Sequence, residues 1–339
     1  MPSTSVCAGR KLRIPMNNTD LIQLDRIIRE AGSVAISGHE HPDGDCAGST
    51  TALYWYVKNV CPEAEVDLYL EKIPDAYAYI GEDIPIRHSA DSEHEPYDLF
   101  ISLDCGVLER LGFALPVFEK ARKTVCIDHH YSNQGYADIN RICPNASSTS
   151  ELLAEEMDPQ YINDEIARDL FLGISHDTGV FQYPSTSPKT HRIAANLMEY
   201  DFNASDLITR TYYERTFEQQ KIGAQAIENA FLMLDGRVIV SMISMDEMER
   251  CHVQPQDLDA IVAGMRDTTG VECAAFMYEK AKGEWKVSLR SRTTADMSAV
   301  AKACGGGGHR RASGATFYTD GPEEIMRKII PLIEQQLDS

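Results

Sequence analysis

The first two hundred residues alternate short apolar runs with longer stretches of helical period, and this alternation restricts the fold more than any other feature of the chain. Ser33–Ser37, Val66–Leu70, Asp98–Leu103 and Thr124–Ile127 are compact and β-like. Between and after them, Ala47–Val60 and Ile162–Ser175 carry helical periodicity, and Ser148 with Glu151 has the spacing of a capping box. Strands separated by helices argue for βαβ units and a parallel sheet. The pattern changes after Asp235-Gly236. Val238–Met242, Val271–Tyr278, Trp285–Leu289 and Ala315–Tyr318 are strand candidates, with a turn at Lys282-Gly283 and helices at Asp296–Cys304 and Pro322–Leu337. The expected architecture is α/β: a parallel-sheet domain over residues 17–200, a helical linker over 201–234, and a smaller α+β domain over 235–339. Residues 1–16 read as a flexible tail.

With 339 residues and 43% hydrophobic content, the chain can bury a core in each domain. A net charge of -20 excludes a protein that coats long duplex DNA, which needs a broad cationic surface. The charge is uneven, however. Between Lys282 and Arg311 there are seven Lys/Arg against Glu284 and Asp296, a local anion site suited to a small phosphorylated molecule. Nine cysteines occur singly, with no CxxC pair, no export signal and no apolar run of transmembrane length, so a cytoplasmic protein without membrane association is expected.

The strand candidates end in metal-ligand chemistry. The first leads into His39-Glu40-His41-Pro42-Asp43-Gly44-Asp45, the third ends at Asp104, and the fourth at Asp128-His129-His130. Asp177 lies just past the buried helix. In open α/β sheets, ligands gather outside the carboxyl ends of the strands at a switch point, so these segments should converge. Crowded carboxylates raise one another's pKa, and divalent cations relieve the repulsion. A mixed Asp/His set suits Mn²⁺, with Mg²⁺ or Zn²⁺ as other candidates. A carboxylate bridging two ions would hold a hydroxide for in-line attack on phosphorus. Each residue alone has a plain structural reading, but three strand ends all carrying Asp or His are not explained as punctuation.

Taken together, His39-x-x-Pro42-Asp43-x-Asp45, Asp104, Asp128-His129-His130 and Asp177 resemble the four motifs of the DHH phosphoesterase superfamily. Gly305-Gly306-Gly307-Gly308-His309, Ala312-Ser313-Gly314 and Ser288–Ser291 resemble the glycine-rich end of the DHH-associated domain. Length and layout are similar to the NrnA-type branch, the nanoRNase and pAp phosphatase family. The resemblance implies that His39 and Asp43 bind one metal, that Asp45, His129 and Asp177 bind the other, and that Asp104 bridges them. It implies an orienting role for Asp128 and phosphate stabilisation by His130. Arg290, Ser291, Gly306, Gly307, Gly308 and His309 are the expected substrate contacts, the glycines because their bare backbone can cradle an anion. Short oligonucleotides or pAp are the expected substrates, with c-di-AMP or its linear product as the alternative, and a homodimer is expected at family level. A RecJ-like exonuclease would need extra DNA-binding domains, and a non-catalytic module would lack a ligand. His41 is expected to serve the loop. Arg110 is left between two readings, a cleft residue and a helix-surface ion pair.

Overall fold

The structure, a computed structural model, describes residues 21–90 and 96–338. The expected tail, 1–16, lies outside the described residues. The chain divides into two units after Glu214.

In the first unit, β1 (Ser33–Ser37), β2 (Glu65–Tyr69), β3 (Ile86–Arg87), β4 (Leu99–Leu103), β5 (Thr124–Asp128) and β6 (Ile139–Ile142) form one parallel sheet in the order β3-β2-β1-β4-β5-β6. Its strands are apolar on both faces. Val34, Ile36, Leu99 and Ile101 enter one core, while Ala35 and Phe100 enter another on the opposite face. This two-sided burial is why the runs read as continuous rather than alternating. The chain builds outward from β1 through β2 to β3, then returns to lay β4 on the other side of β1. The direction reverses between β1 and β4, which opens a crevice at their carboxyl ends.

Helices α1 (Leu24–Arg29), α2 (Gly44–Val60), α3 (Leu115–Lys120), α4 (Thr149–Glu156), α5 (Asp164–Asp177), α6 (Pro188–Leu197) and α7 (Ala204–Ile208) complete this unit. The pair α2 and α5 is packed backbone to backbone. A Cβ on Gly48 would collide with the carbonyl oxygen of Asp169 and stand 3.1 Å from the Gly173 nitrogen. Ser148 caps α4 by accepting from Glu151 N at 3.0 Å. The Glu151 carboxylate turns instead to Ser147, Thr190 and Lys189, so half of the expected capping box is spent on tying α4 to α6.

The second unit is a mixed sheet ordered β11-β12-β10-β9-β8-β7. Its strands are β7 (Phe231–Met233), β8 (Val238–Ile243), β9 (Cys273–Ala281), β10 (Glu284–Ser291), β11 (Gly307–His309) and β12 (Ala312–Tyr318). Only β8 and β9 pair in parallel. Helices α11 (Met297–Ala303) and α12 (Pro322–Leu337) bury Val300, Ile325, Ile329 and Ile333 on one face. Helices α8 (Phe217–Glu228), α9 (Met245–Cys251) and α10 (Ile261–Arg266) bury Ile222, Met248 and Met265 on the other. The segment read as a linker, 201–234, is shared out between the units. Leu207 of α7 is buried in the first core, Ile222 and Ala226 of α8 in the second, and Phe231–Met233 is the edge strand β7.

The α2–α5 packing gives a direct test. Gly48→Ala should cost about 1–3 kcal/mol in urea denaturation, because the added methyl meets fixed backbone. Gly223→Ala in α8, where a Cβ meets nothing within 4 Å, should instead stabilise by about 0.5–1 kcal/mol. Equal effects at the two sites would contradict the close approach.

Candidate metal centre

The crevice is assembled from five strand or helix ends, those of β1, α2, β4, β5 and α5. Just past β1, His39 is buried, with Nδ1 2.8 Å from the carbonyl of Glu40. Its Nε2 faces Asp104 Oδ2 at 3.5 Å and Asp43 Oδ2 at 3.7 Å. Asp43 is the N-cap of α2: Oδ1 accepts from the amides of Asp45 and Cys46, while the rest of the side chain stays open to solvent. Asp45, in the first turn of α2, has no exposed surface. Its two oxygens accept from Thr149 N at 2.6 Å and Ser150 N at 2.9 Å, the first amides of α4. A helix N-terminus is a favourable place for a buried carboxylate. Asp104 follows β4 in a left-handed conformation (φ 53°), which a short Asp tolerates better than most side chains. The Thr149 hydroxyl donates to its Oδ1 at 3.1 Å.

His129, just after β5, places Nε2 3.4 Å from Asp104 and 3.0 Å from Asp177. Asp177 is the last residue of α5, two residues beyond the expected helix end. Asp128 is fully buried, accepting from Asn133 Nδ2 at 2.7 Å and lying 2.7 Å from His130 Nδ1. All eight residues expected in the crevice (His39, Asp43, Asp45, Asp104, Asp128, His129, His130 and Asp177) therefore lie together. His41 does not join them: exposed, with φ 58°, it pairs with Glu71 at 2.9 Å.

The charges are strongly coupled to this geometry. Burial raises Asp45, and the neighbouring Asp104 and Asp177 raise it further. Burial also pushes Asp177 up to about 6, against the pull of His129. Asp104 goes the other way. Burial opposes its charge, yet His129 and His39 hold its carboxyl well below the usual range. Burial likewise opposes charge on His39, but Asp104 and Asp43 push it up to about 10. His129 is raised by Asp104 and Asp177, and His130 by Asp128, each against burial. Without a cation, the site is balanced by protons on its imidazoles.

The donor atoms fit metal ions. Three groups have ligand atoms all within 4.8 Å of one another: His39, Cys46 and Asp104; Asp104, His129 and His130; Asp45, His129 and Asp177. Donors on one ion, at roughly 2.0–2.3 Å each, stand up to about 4.6 Å apart, so only slight contraction is required. The first two groups share Asp104, whose two carboxylate oxygens could serve neighbouring ions, and the second and third share His129.

Two participants, Thr149 and Cys46, were not singled out from the sequence as part of this centre, and a third, Arg110, was left between two readings. Thr149 binds both Asp45 and Asp104, and the capping signal at Ser148 marked its helix start without indicating what the free amides face. Cys46 is buried beside His39 and Asp104. Arg110 makes no ion pair with a neighbour on its own segment; its Nη2 lies 2.9 Å from His39 Nδ1.

The second unit departs from expectation in detail. Ser291 is buried and donates to the Ala295 carbonyl at 2.7 Å, so its hydroxyl shapes the 291–295 loop instead of facing a ligand. The glycine run is not a free loop, since β11 pairs with β12. A Cβ on Gly306 would collide with the Gly314 carbonyl, and one on Gly308 would lie 2.6 Å from that of Ala312. These two glycines are explained by strand packing. A Cβ on Gly307 would meet nothing within 4 Å, although its backbone pairs with Gly314. Arg290 lies on β10 with Nη1 3.0 Å from the Leu289 carbonyl. The backbone of His309 ends β11; its side chain lies outside the described residues.

Residues 33–174 match the DHH family, N-terminal domain, and residues 235–338 match the DHHA1 domain. The chain belongs to the DHH family and carries the DHHA1 domain as its second unit. Among its relatives is the probable bifunctional oligoribonuclease and PAP phosphatase NrnA of Streptococcus mutans, 28% identical over 86% of this chain and 92% of that protein. The bifunctional oligoribonuclease and PAP phosphatase NrnA of Bacillus subtilis is 25% identical, covering 92% of this chain and 98% of its own. The fold is that of an exopolyphosphatase-related protein from Bacteroides fragilis, with a TM-score of 0.83 at 22% identity over 93% of this chain and 94% of the other. Among the described residues no helix is long and apolar enough to cross a membrane.

A divalent ion must displace a proton from His39, whose pKa Asp104 and Asp43 push up to about 10. Affinity for Mn²⁺ should therefore rise with pH, by up to about tenfold per unit for each proton released. Calorimetry in buffers of differing ionisation enthalpy counts those protons. An affinity unchanged between about pH 6 and 8 would contradict the proton-balanced site.

Proposed function

We propose that this chain is a metal-dependent phosphoesterase acting on short oligoribonucleotides and on 3′-phosphoadenosine 5′-phosphate. The observation that carries this reading is the position of Asp104. It stands between His39 and His129, each within 3.5 Å, while Asp45 and Asp177 complete the His129 side. The substrate class rests on the relatives, which are named for those two activities, and on an acidic chain with a local excess of cations between Lys282 and Arg311.

Two divalent ions, with Mn²⁺ preferred by the mixed imidazole and carboxylate donors, would supply Lewis-acid neutralisation of the phosphoryl group and a nucleophilic water. The protein's own groups do the rest. His39, Asp43 and Asp104 form one side of the site, and Asp45, Asp104, His129 and Asp177 the other. Asp128 and Asn133 fix the His130 ring, and the raised pKa keeps that ring able to donate to a phosphate oxygen. The amides of Thr149 and Ser150 keep Asp45 from swinging toward its like-charged neighbours. Hydrolysis adds the water oxygen to phosphorus and releases the ester oxygen with a proton. In the second unit, Arg290 remains a candidate anion contact. The protein works in the cytoplasm.

Asp104→Asn is the cleanest probe, because Asn keeps the left-handed backbone and the Thr149 contact while removing the charge. Turnover of pAp and of di- and trinucleotides with Mn²⁺ should fall by about 10³-fold or more, while circular dichroism shows the protein still folded. Retained activity would refute the assignment. In the wild type, hydrolysis of c-di-AMP in preference to pAp and short RNA would move the substrate to the cyclic class.

A further inference from the structure

Thr149 touches acids on both sides of the metal centre, and its two contacts do different things. Its backbone amide donates to Asp45 Oδ2 at 2.6 Å, and its hydroxyl donates to Asp104 Oδ1 at 3.1 Å. The residue is fully buried, so the hydroxyl has no bulk water as a rival partner.

Thr149 is held from outside the site. It is the first residue of α4, whose start is capped by Ser148. The loop before it is tied to the end of β5: Cys143 N donates to the Asp128 carbonyl at 3.0 Å, and Ala146 N to the Cys143 carbonyl at 2.9 Å. Farther along the helix, Glu151 is anchored to Ser147 and, through Lys189 and Thr190, to α6. A β-branched side chain also has few χ1 choices. The hydroxyl is therefore a fixed point against which a neighbour can be aligned.

Asp104 needs such a point. Its Oδ2 faces His39 Nε2 at 3.5 Å, whereas its Oδ1 faces His129 Nε2 at 3.4 Å. One oxygen thus belongs to each side of the centre. The left-handed backbone (φ 53°) sets the direction of Cβ, but the torsion that turns the carboxylate plane is broad in Asp. Turned about that torsion, the carboxylate no longer presents one oxygen to each imidazole. The Thr149 hydroxyl keeps Oδ1 on the His129 side, which leaves Oδ2 on the His39 side. A hydroxyl keeps its proton with or without ions nearby, so this contact is independent of how the imidazoles titrate.

We propose that Thr149 is a positioning residue that locks Asp104 in the two-sided stance needed by a carboxylate shared between two divalent ions, and so governs binding of the second ion. This rests on the metal-dependent reading above and assigns the pairing of the ions to a residue that ligates neither.

The test uses the full chain as wild type, Thr149→Val, Thr149→Ala and Thr149→Ser. Each is titrated with Mn²⁺ and followed by electron paramagnetic resonance, with pAp turnover measured beside it. Val keeps the shape and the amide contact to Asp45 but removes the hydroxyl. Ala removes it too and carries the test if the Val variant does not fold, while Ser retains it. Wild type should bind two ions and show an exchange-coupled spectrum. In Thr149→Val the second ion should bind about tenfold or more weakly, with the coupled signal falling in step and kcat dropping about tenfold or more. Thr149→Ser should bind both ions within about threefold of wild type. A role confined to packing would lower stability without changing the ratio of the two Mn²⁺ affinities. Wild-type coupling and affinity in the variants that lack the hydroxyl would overturn the proposal. So would a Ser variant as impaired as Val. If the coupled pair forms in wild type and is lost in Thr149→Val, yet wild type cleaves no phosphate ester, the inference stands while the functional reading fails.

Discussion

Burying three carboxylates around one point is the constraint that organises this molecule. Asp45 and Asp104 are almost wholly withdrawn from solvent, with Asp177 close by, and each makes the others harder to ionise. The fold answers in three ways. Two imidazoles, His39 and His129, bracket Asp104. The first amides of α4 hold both oxygens of Asp45. The left-handed turn at Asp104 aims its side chain between the two histidines. None of these removes the excess of acceptors. They prepare a place where divalent cations are worth more than protons.

The sheet topology and the glycines serve that arrangement. Placing β4 beside β1 and β5 beside β4 brings Asp104 next to the loops carrying His39 and His129. Asp45 and Asp177 come from α2 and α5, which must approach closely for those two acids to share a partner. Gly44, Gly48 and Gly173 make that approach, each standing where a methyl would collide with the opposite helix or with the site. At Gly173 the obstacle includes the Asp45 carboxylate, so helix packing and site geometry are set by the same contact.

Much of this was legible in the sequence, for identifiable reasons. The strands β1, β4 and β5 are short apolar runs, β4 set between Asp98 and Asp104 and β5 between Lys123 and its last residue Asp128, and both faces of each are buried. The helix α12 begins at Pro322 and ends at Leu337, as its period and its N-terminal Pro indicate. Residues that act by side-chain type, such as His129 after β5 and Asp177 at the end of α5, could be named because several element ends carry an acid or an imidazole together. Residues that act by position could not. Thr149 is an ordinary helix-start residue until its amide is seen on Asp45. Ser291 resembles a binding hydroxyl but is consumed by Ala295. The glycine run suggests a loop, because the pattern of single residues does not reveal that Gly306 and Gly308 lie against the backbone of β12. The two-residue strand β3 has too little sequence to announce itself.

The central claim is spatial, and anomalous diffraction from crystals grown with Mn²⁺ tests it most directly. The account predicts two peaks about 3.5–4 Å apart, with Asp104 between them, one beside His39 and the other beside His129 and Asp177. A single peak, or ions bound away from Asp104, would contradict it.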